Sequence, residues 1–283
     1  MICMMCGDST PMMHHLCNSP NANLHQAKIT KDSVNLNSIS FVPKDDNKVA
    51  IIFGTYNRLP CLKKAIDSII STKADTIVSI YIVDGGSKDG TLEYLDSLNY
   101  ILNPRTVKIK LIKQNGELTG AVRAFNLGFK QALDDGNQWF CHFNDDAEFV
   151  TKGIFQNSIA MMLADPKIGE VAFEFDLSKY WGFYQYNGKT YANYGIIRRE
   201  AGIAVAKAQG DNSGTNWWNT IYKTYGADGE FGLQLWKLGW KVAEGLNLRV
   251  HDNHHKDELR RLNTALQEKE AKIFFTRCKE LML

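Results

Sequence analysis

Several features that would assign this chain to a particular class of protein are scarce or absent. No apolar run in its 283 residues approaches the roughly 20 residues that a membrane-spanning helix needs. The formal net charge is only +2, so bulk electrostatics gives no reason to expect a nucleic-acid partner. Six cysteines do not make a disulfide framework at this length. These absences predict a soluble protein of a reducing compartment.

The first residues also lack the marks of a secretory signal. Residues 1–13 have neither a basic start nor a continuous apolar core. As far as about residue 46 the chain is rich in Asn, Ser, His and Met without a sustained period, which predicts a flexible N-terminal arm over residues 1–46. We therefore expect a cytoplasmic protein and leave peripheral docking on a membrane open.

From residue 47 onwards, short apolar runs alternate with segments of helical periodicity. Strands are predicted over 49–53, 78–83, 107–112 and 139–143, and helices over 60–72, 91–97 and 119–134. This alternation predicts an α/β fold with a doubly wound, mostly parallel sheet flanked by helices. A single domain over 47–255 is expected, with a loop-rich aromatic lobe beyond about residue 171. Residues 256–283 are predicted to add a C-terminal helical extension that packs on the core.

Polar residues follow three of the predicted strands. Ligands of such sheets bind beyond the carboxyl ends of the strands. Two adjacent acids at the mouth of a buried strand are costly to hold together unless a cation shares them, and a divalent cation bridging to a phosphate would do so. On their own, two such acids are more typical of a helix cap or a solvated turn. The residues concerned are Thr55, Asn57 and Arg58, then Asp84, then Asn144, Asp145 and Asp146.

Four segments occur in a fixed order: 49–58, 82–91, 144–146 and 226–240. Together they resemble the inverting, metal-dependent glycosyltransferases of family two, which have the GT-A nucleotide-sugar-binding fold. The resemblance covers residues from about 48 to 255. It implies transfer of a sugar from a nucleotide-diphosphate sugar to a hydroxyl of a glycan or lipid-linked acceptor, as in polysaccharide biosynthesis.

The resemblance implies a donor site. Asp84 matches the carboxylate that accepts a hydrogen bond from a pyrimidine ring, which favours a UDP or dTDP carrier. A turn-forming Asp before two glycines is the alternative for this residue. Arg123 matches a phosphate contact less well, and a solvated helix residue is its equal alternative. The implied nucleotide-sugar-binding residues are Thr55, Asn57, Arg58, Asp84, Gly120, Arg123, Asn144 and Asp145.

The resemblance also implies a metal cofactor, Mn²⁺ or Mg²⁺. Relatives hold it with a short acidic motif, usually Asp-any-Asp, whereas this chain has Asn144 at the first position. Asp146 is then the implied direct ligand, and Asp145 the contact to a ribose or a metal-bound water. His251, after a short apolar segment, matches a histidine that returns to the metal or the diphosphate.

Asp228 matches the catalytic carboxylate, the general base that an inverting reaction needs. Such a base typically contributes about 10²–10⁴-fold to the rate. Glu230 is the competing base or a contact to acceptor hydroxyls, and Trp181 belongs to an aromatic stretch able to stack on an acceptor sugar. Two plainer alternatives stay open: both acids decorate a helix N-terminus, and the aromatic residues pack in the core.

Three other functions compete with this interpretation. A relative that binds a nucleotide sugar without efficient transfer is favoured by Asn144. A nucleotidyltransferase would need a Gly-rich, basic loop after the first strand, where residues 55–60 do not provide one. A nicotinamide-dependent dehydrogenase would need a Gly-x-Gly-x-x-Gly turn before the first helix, and the chain has none.

Overall fold

The computed structural model describes residues 24–26, 48–114, 119–176, 181–253 and 257–282. The strands are β1 (Leu24–Gln26), β2 (Lys48–Thr55), β3 (Ile77–Asp84), β4 (Val107–Lys113), β5 (Trp139–His142), β6 (Ala147–Phe149), β7 (Ile168–Asp176), β8 (Trp181–Tyr186), β9 (Lys189–Tyr191), β10 (Gly195–Arg198) and β11 (Lys241–Asp252). The helices are α1 (Leu59–Thr72), α2 (Thr91–Ile101), α3 (Ala121–Asp134), α4 (Ile154–Ala164), α5 (Arg199–Ala208), α6 (Ala227–Lys237) and α7 (Glu258–Met282).

One mixed sheet organises the described elements, in the order β1-β8-β7-β10-β5-β2-β3-β4. The four strands at one end of this order, β5-β2-β3-β4, are parallel. Antiparallel strands β10, β7, β8 and β1 extend it on one side. The long strand β11 runs parallel to β7 and then pairs antiparallel with β6. The predicted α/β architecture, with a parallel set of strands flanked by helices, is confirmed.

Strand β2, inside the parallel part of the sheet, is apolar on both faces. Residues 49–53 of β2 are completely buried, as expected where helices cover both sides of a sheet. Helix α3 lies close to this strand, and a Cβ added at Gly128 would come within 2.3 Å of Ile52 Cγ2. Glycine at this position therefore permits the close packing of helix on sheet.

The aromatic stretch differs from the sequence-based expectation of a loop-rich lobe. Residues 181–198 form the three strands β8, β9 and β10 instead. Phe183, Tyr186, Tyr191 and Tyr194 are buried there, and an edge-to-face contact joins Tyr191 to Phe274 of α7. Aromatic residues favour a pleated, half-buried surface, so core packing explains most of this stretch. Irregular chain is found later, between α5 and α6.

The predicted C-terminal helix is present as α7. Four of its side chains recur at helical spacing and are buried: Ala271, Phe274, Cys278 and Leu281. They form the face that packs on the core, and α7 lies against α6. In the described part of the chain, no helix combines the length and hydropathy required to cross a membrane. The flexible arm predicted for 1–46 lies outside the described residues, apart from β1, which pairs with β8.

Candidate active site

The parallel strands bring the polar segments of the sequence to one edge of the sheet. Thr55, the last residue of β2, lies opposite Asp84, the last residue of β3. On the other side of β2, Ile52 lies opposite His142, and the chain reaches Asn144–Asp146 directly after this pair. The carboxyl ends of β2, β3 and β5 thus meet where the sequence predicted a ligand site.

Arg58 and the carboxylates of Asp145 and Asp146 form the centre of this edge. The guanidinium Nη1 donates to Asp145 Oδ1 at 2.8 Å and to Asp146 Oδ2 at 3.2 Å. The two carboxylates are 4% and 3% exposed, and the Arg58 side chain is 10% exposed. We call Asp145 and Asp146 the carboxylate pair. A buried pair of like charges requires such a cation.

Two residues at the start of α7, which the sequence did not indicate, also contact this centre. Asp257, directly before the helix, accepts from Arg58 Nε at 2.5 Å and from Arg58 Nη2 at 3.0 Å. Arg260 Nη2 donates to Asp146 Oδ2 at 3.1 Å. Asp146 Oδ2 therefore accepts from two guanidinium groups. No local sequence pattern could have indicated this, because the partners are more than a hundred residues apart.

The two members of the carboxylate pair differ in their surroundings. Burial raises the pKa of Asp145 to about 6, the Asp146 charge adds to the rise, and Arg58 opposes it. Its Oδ2 atom is buried without a hydrogen-bond partner among the described residues. A buried carboxylate oxygen in this condition is energetically costly, and a water, an ion or a ligand atom would satisfy it.

Asn144 begins a second polar group beside the carboxylate pair. Its amide donates to Tyr194 Oη at 3.3 Å, and Tyr194 Oη donates to Asp252 Oδ2 at 2.9 Å. His251, the predicted metal ligand, contacts Asp176 Oδ2 through Nδ1 at 2.5 Å, and its side chain is 48% exposed. Since successive side chains of a strand point to opposite faces, Asp252 and not its neighbour His251 reaches this group.

The carboxylate pair can be tested for its fit to a divalent cation. The described part of the chain holds no group of three or more His, Cys, Asp or Glu side chains that could bind a metal by itself. A magnesium-like ion needs only one or two carboxylates when phosphate oxygens and water complete its shell. Asp146 and the unpartnered oxygen of Asp145 can supply these. The residues fit a cation that arrives with a phosphate-bearing ligand.

Asn57 and Asp84 have structural partners at the same edge. The Asn57 backbone N–H donates to Ser87 Oγ at 2.9 Å, and its amide oxygen accepts from Lys88 N at 2.7 Å, which ties the two loops together. The Asp84 carboxylate is buried and accepts from the backbone N–H groups of Gly86 and Ser87. Asp84 thus closes the turn, while its contact with a pyrimidine stays a prediction.

Gly120 and Arg123 lie at the start of α3. Gly120 has a φ of 95°, and an added Cβ would come within 2.4 Å of the Lys223 carbonyl oxygen, so glycine is required there. Arg123 is exposed and lines a groove of about 470 Å³ together with Lys130 and Lys223. The residues lining this groove do not include the carboxylate pair. The predicted phosphate contact therefore faces a separate basic groove.

Asp228 lies in the first turn of α6, where its Oδ1 accepts from Gly229 N at 2.8 Å. Burial raises the pKa of Asp228, and nearby His142 partly offsets the rise. His142 Nε2 lies 2.9 Å from Glu170 Oε1, and both side chains are almost fully buried. Burial likewise raises the pKa of Glu170. Sequence analysis missed this His–Glu pair because both residues are inside strands.

Glu230 is fully buried and belongs to a different network. It accepts from Asn219 Nδ2 at 3.0 Å, from Tyr222 Oη at 2.7 Å and from Arg277 Nη2 at 2.9 Å. We call Glu230 with these three partners the helix clamp, because it joins α6 to α7. A carboxylate without exposed surface cannot contact an acceptor in this arrangement of the chain. Trp181 is partly exposed, and the Arg249 guanidinium lies over its ring at 5.1 Å.

With the geometry in place, comparison with known proteins identifies the family. A model of glycosyl transferase family 2 matches residues 50–222, which is more than half of the chain. The chain belongs to glycosyl transferase family 2. The matched region of this family-2 chain contains the carboxylate pair and ends before Asp228. No curated protein matches the chain.

Solved structures show the fold of this family-2 chain. The mannosyltransferase PcManGT from Pyrobaculum calidifontis, in complex with GDP-Man and Mn²⁺, matches with a TM-score of 0.57 at 18% identity over 80% of this chain and 63% of that one. TarS 1–349 from S. aureus, in complex with UDP, matches with a TM-score of 0.56 at 15% identity over 72% and 60%. GalNAc-T7 with UDP, GalNAc and Mn²⁺ matches with a TM-score of 0.58 at 14% identity over 82% and 49%.

These likenesses have two consequences. At such low identity they show the fold alone, which is the GT-A fold of glycosyltransferases. The family-2 chain also spans only 63% and 60% of the length of the first two structures. The likenesses therefore assign no catalytic or acceptor residue to this chain.

Proposed function

We propose that this protein is a metal-assisted, inverting glycosyltransferase. It moves a sugar from a nucleotide-diphosphate sugar to a hydroxyl of a glycan or lipid-linked acceptor. The observation that carries the proposal is the buried carboxylate pair at the carboxyl ends of the parallel strands, inside the region that matches family 2. A binding function for this edge explains why the fold tolerates two adjacent buried acids.

The donor diphosphate would bind at the carboxylate pair. Asp146 and Asp145 would hold the divalent cation, which stabilises charge on the departing diphosphate when it is bound. Arg58 is fixed beside both carboxylates and offers guanidinium donors suited to phosphate oxygens. The solved neighbours were obtained with guanosine as well as uridine compounds. The panel of ligands that tests the donor site therefore includes both nucleotide carriers.

Asp228 would serve as the general base. Its carboxylate takes the proton from the acceptor hydroxyl as that oxygen bonds to the anomeric carbon and the diphosphate leaves. Its place in the first turn of α6 holds it rigidly, and the helix N-terminus favours the ionised form. His142, held by Glu170, opposes the effect of burial on the pKa of Asp228.

Thermal unfolding against a panel of nucleoside diphosphates, with and without Mn²⁺, tests the donor site. A ligand at 100 times its dissociation constant adds about 2.7 kcal/mol of stability if it binds only the folded protein. We expect a Mn²⁺-dependent shift with one carrier, lost in Asp146→Ala and kept in Asp228→Asn. Absence of a shift with every nucleotide would refute the donor site.

Replacement of Asp228 by Asn tests the catalytic assignment. Asn keeps the shape but cannot accept a proton, so turnover should fall by about 10²–10⁴-fold. The measurement is release of nucleoside diphosphate, with water or a glycan as acceptor. Nucleotide-induced thermal shifts equal to those of the wild type are the control. Turnover within a few fold of the wild type would remove Asp228 from the mechanism.

A second candidate function is a nucleotide-sugar-binding relative with weak or no transfer. Asn144 favours it, because an amide that donates to Tyr194 replaces the usual first carboxylate. This candidate predicts a nucleotide-dependent thermal shift together with no release of diphosphate from any donor. The same two assays therefore separate the two functions.

A further inference from the structure

At the start of α7, the Arg260 guanidinium contacts Asp146, the proposed metal ligand. Arg260 Nη2 lies 3.1 Å from Asp146 Oδ2, the oxygen that also accepts from Arg58 Nη1 at 3.2 Å. The Arg260 side chain is 39% exposed, whereas Asp146 is 3% exposed. The partly exposed Arg260 guanidinium thus hydrogen-bonds to a buried carboxylate.

Asp257 completes the arrangement from the other side. It accepts two hydrogen bonds from Arg58, through Nε at 2.5 Å and Nη2 at 3.0 Å. The same carboxylate accepts from the Arg260 backbone N–H at 2.8 Å, so it fixes the first turn of the helix. Residues 257–260 therefore contact the site through an acid and a base: Asp257 binds Arg58, and Arg260 binds Asp146.

We propose that residues 257–260 are a latch on the donor site, in which Arg260 substitutes for a divalent cation at Asp146 until cation and diphosphate arrive together. This inference rests on the proposed function for the identity of the ligand. It adds a competition within the protein: a cation on the Asp146 carboxylate meets the Arg260 charge that Oδ2 already binds.

The latch makes the two ligands depend on one another. A cation alone must compete with Arg260 for the Asp146 carboxylate, and its binding places two positive charges side by side. A diphosphate brings acceptor oxygens that suit the displaced guanidinium, so each ligand should strengthen the binding of the other. Removal of the Arg260 charge should therefore raise the affinity for the cation alone and weaken this coupling.

Titration of the full chain with Mn²⁺, followed by the electron paramagnetic resonance signal of the free ion, measures the competition. Compared with the wild type, Arg260→Gln should bind Mn²⁺ about two- to fivefold more tightly, the scale of a partly exposed ion pair. Arg260→Lys should restore part of the competition. Arg105→Gln is the matched control, because Arg105 precedes β4 at the opposite edge of the sheet.

Repetition with inorganic pyrophosphate measures the coupling. Pyrophosphate should strengthen Mn²⁺ binding by a larger factor in the wild type than in Arg260→Gln. Amide hydrogen exchange over 257–262 should accelerate in the wild type when both ligands are added, which reports release of the latch. Arg260→Gln removes one of the two guanidinium groups at Asp146, so it should unfold at a lower temperature than Arg105→Gln, and Mn²⁺ binding is compared where both variants are fully folded.

The outcomes separate this inference from the proposed function. Mn²⁺ binding in Arg260→Gln that is equal to or weaker than in the wild type would overturn the latch, as would binding in neither protein. Binding only in Arg260→Gln would support it. Failure of the nucleoside diphosphate panel would refute the sugar-donor function and leave the Mn²⁺ and pyrophosphate result standing.

Discussion

Two buried acid–arginine networks, the carboxylate pair and the helix clamp, both attach α7 to the rest of the molecule. In the helix clamp, burial of Glu230 is outweighed by hydrogen bonds from Arg277, Asn219 and Tyr222, and its pKa is lowered. In the carboxylate pair, burial and the second negative charge prevail over Arg58, and the pKa of Asp145 is raised.

The two networks differ in whether every carboxylate oxygen has a partner inside the protein. Both Glu230 oxygens have partners inside the protein, so the network needs nothing more. Asp145 Oδ2 has none among the described residues, and its neighbour carries a like charge. A fully satisfied network stabilises the fold, whereas an incompletely satisfied one stores a cost that a ligand can relieve.

The largest effect that tests this comparison is expected from breaking the helix clamp. Arg277→Met leaves the buried Glu230 carboxylate without its cation, which should lower the free energy of unfolding by about 3 kcal/mol. Chemical denaturation measures it, with Arg105→Met as the control. Adding Glu230→Gln should recover part of the loss, because the uncompensated charge is then gone. If the free-energy losses of Arg277→Met and Glu230→Gln simply add in the double variant, the two side chains do not act as a pair.

At the carboxylate pair, a substitution that removes a charge should raise the free energy of unfolding of the metal-free protein. Because the pKa of Asp145 is about 6 in the folded protein, the contribution of its protonation to stability is complete below its ordinary pKa near 4 and is lost as the pH rises through 6. Asp145→Asn should therefore stabilise the protein at pH 7.5 by about 1–2 kcal/mol, since the new amide also needs partners. The advantage should shrink towards pH 4.

Denaturation in EDTA at several pH values measures the effect of Asp145→Asn. Asp134→Asn, at an exposed carboxylate on α3, is the control. A loss of stability at pH 7.5 would mean that Asp145 is as well satisfied as Glu230, and the contrast between the networks would fail.

The smallest effect concerns the surroundings of Asp228. Because burial raises the pKa of Asp228 and His142 partly offsets it, activity should fall with decreasing pH at a value above the ordinary aspartate range. His142→Gln keeps a donor for Glu170 but removes the imidazole, so this limb should move to higher pH by less than about one unit. The pH profile of kcat measures it. An unchanged pH profile in His142→Gln would show that His142 does not influence the pKa of Asp228.

The sequence predicted the parts of the fold that depend on local patterns. Strand β2, helix α1 and helix α7 lie where periodicity placed them, because burial on one face or on both selects residues at fixed spacing. The aromatic residues of 181–198 were harder to assign, because large side chains suit a strand and a packed loop alike.

Of the site, the sequence determined the polar residues at the ends of β2, β3 and β5 and, through their order, the family. Only the tertiary structure decided which of them act together. In the folded chain His251 contacts Asp176, and Glu230 belongs to the helix clamp. Asp257 and Arg260 lie beside the carboxylate pair and its arginine. The reason is physical: strand periodicity and turn chemistry are local properties of the chain, whereas the partners of a buried charge come from wherever folding places a compensating group.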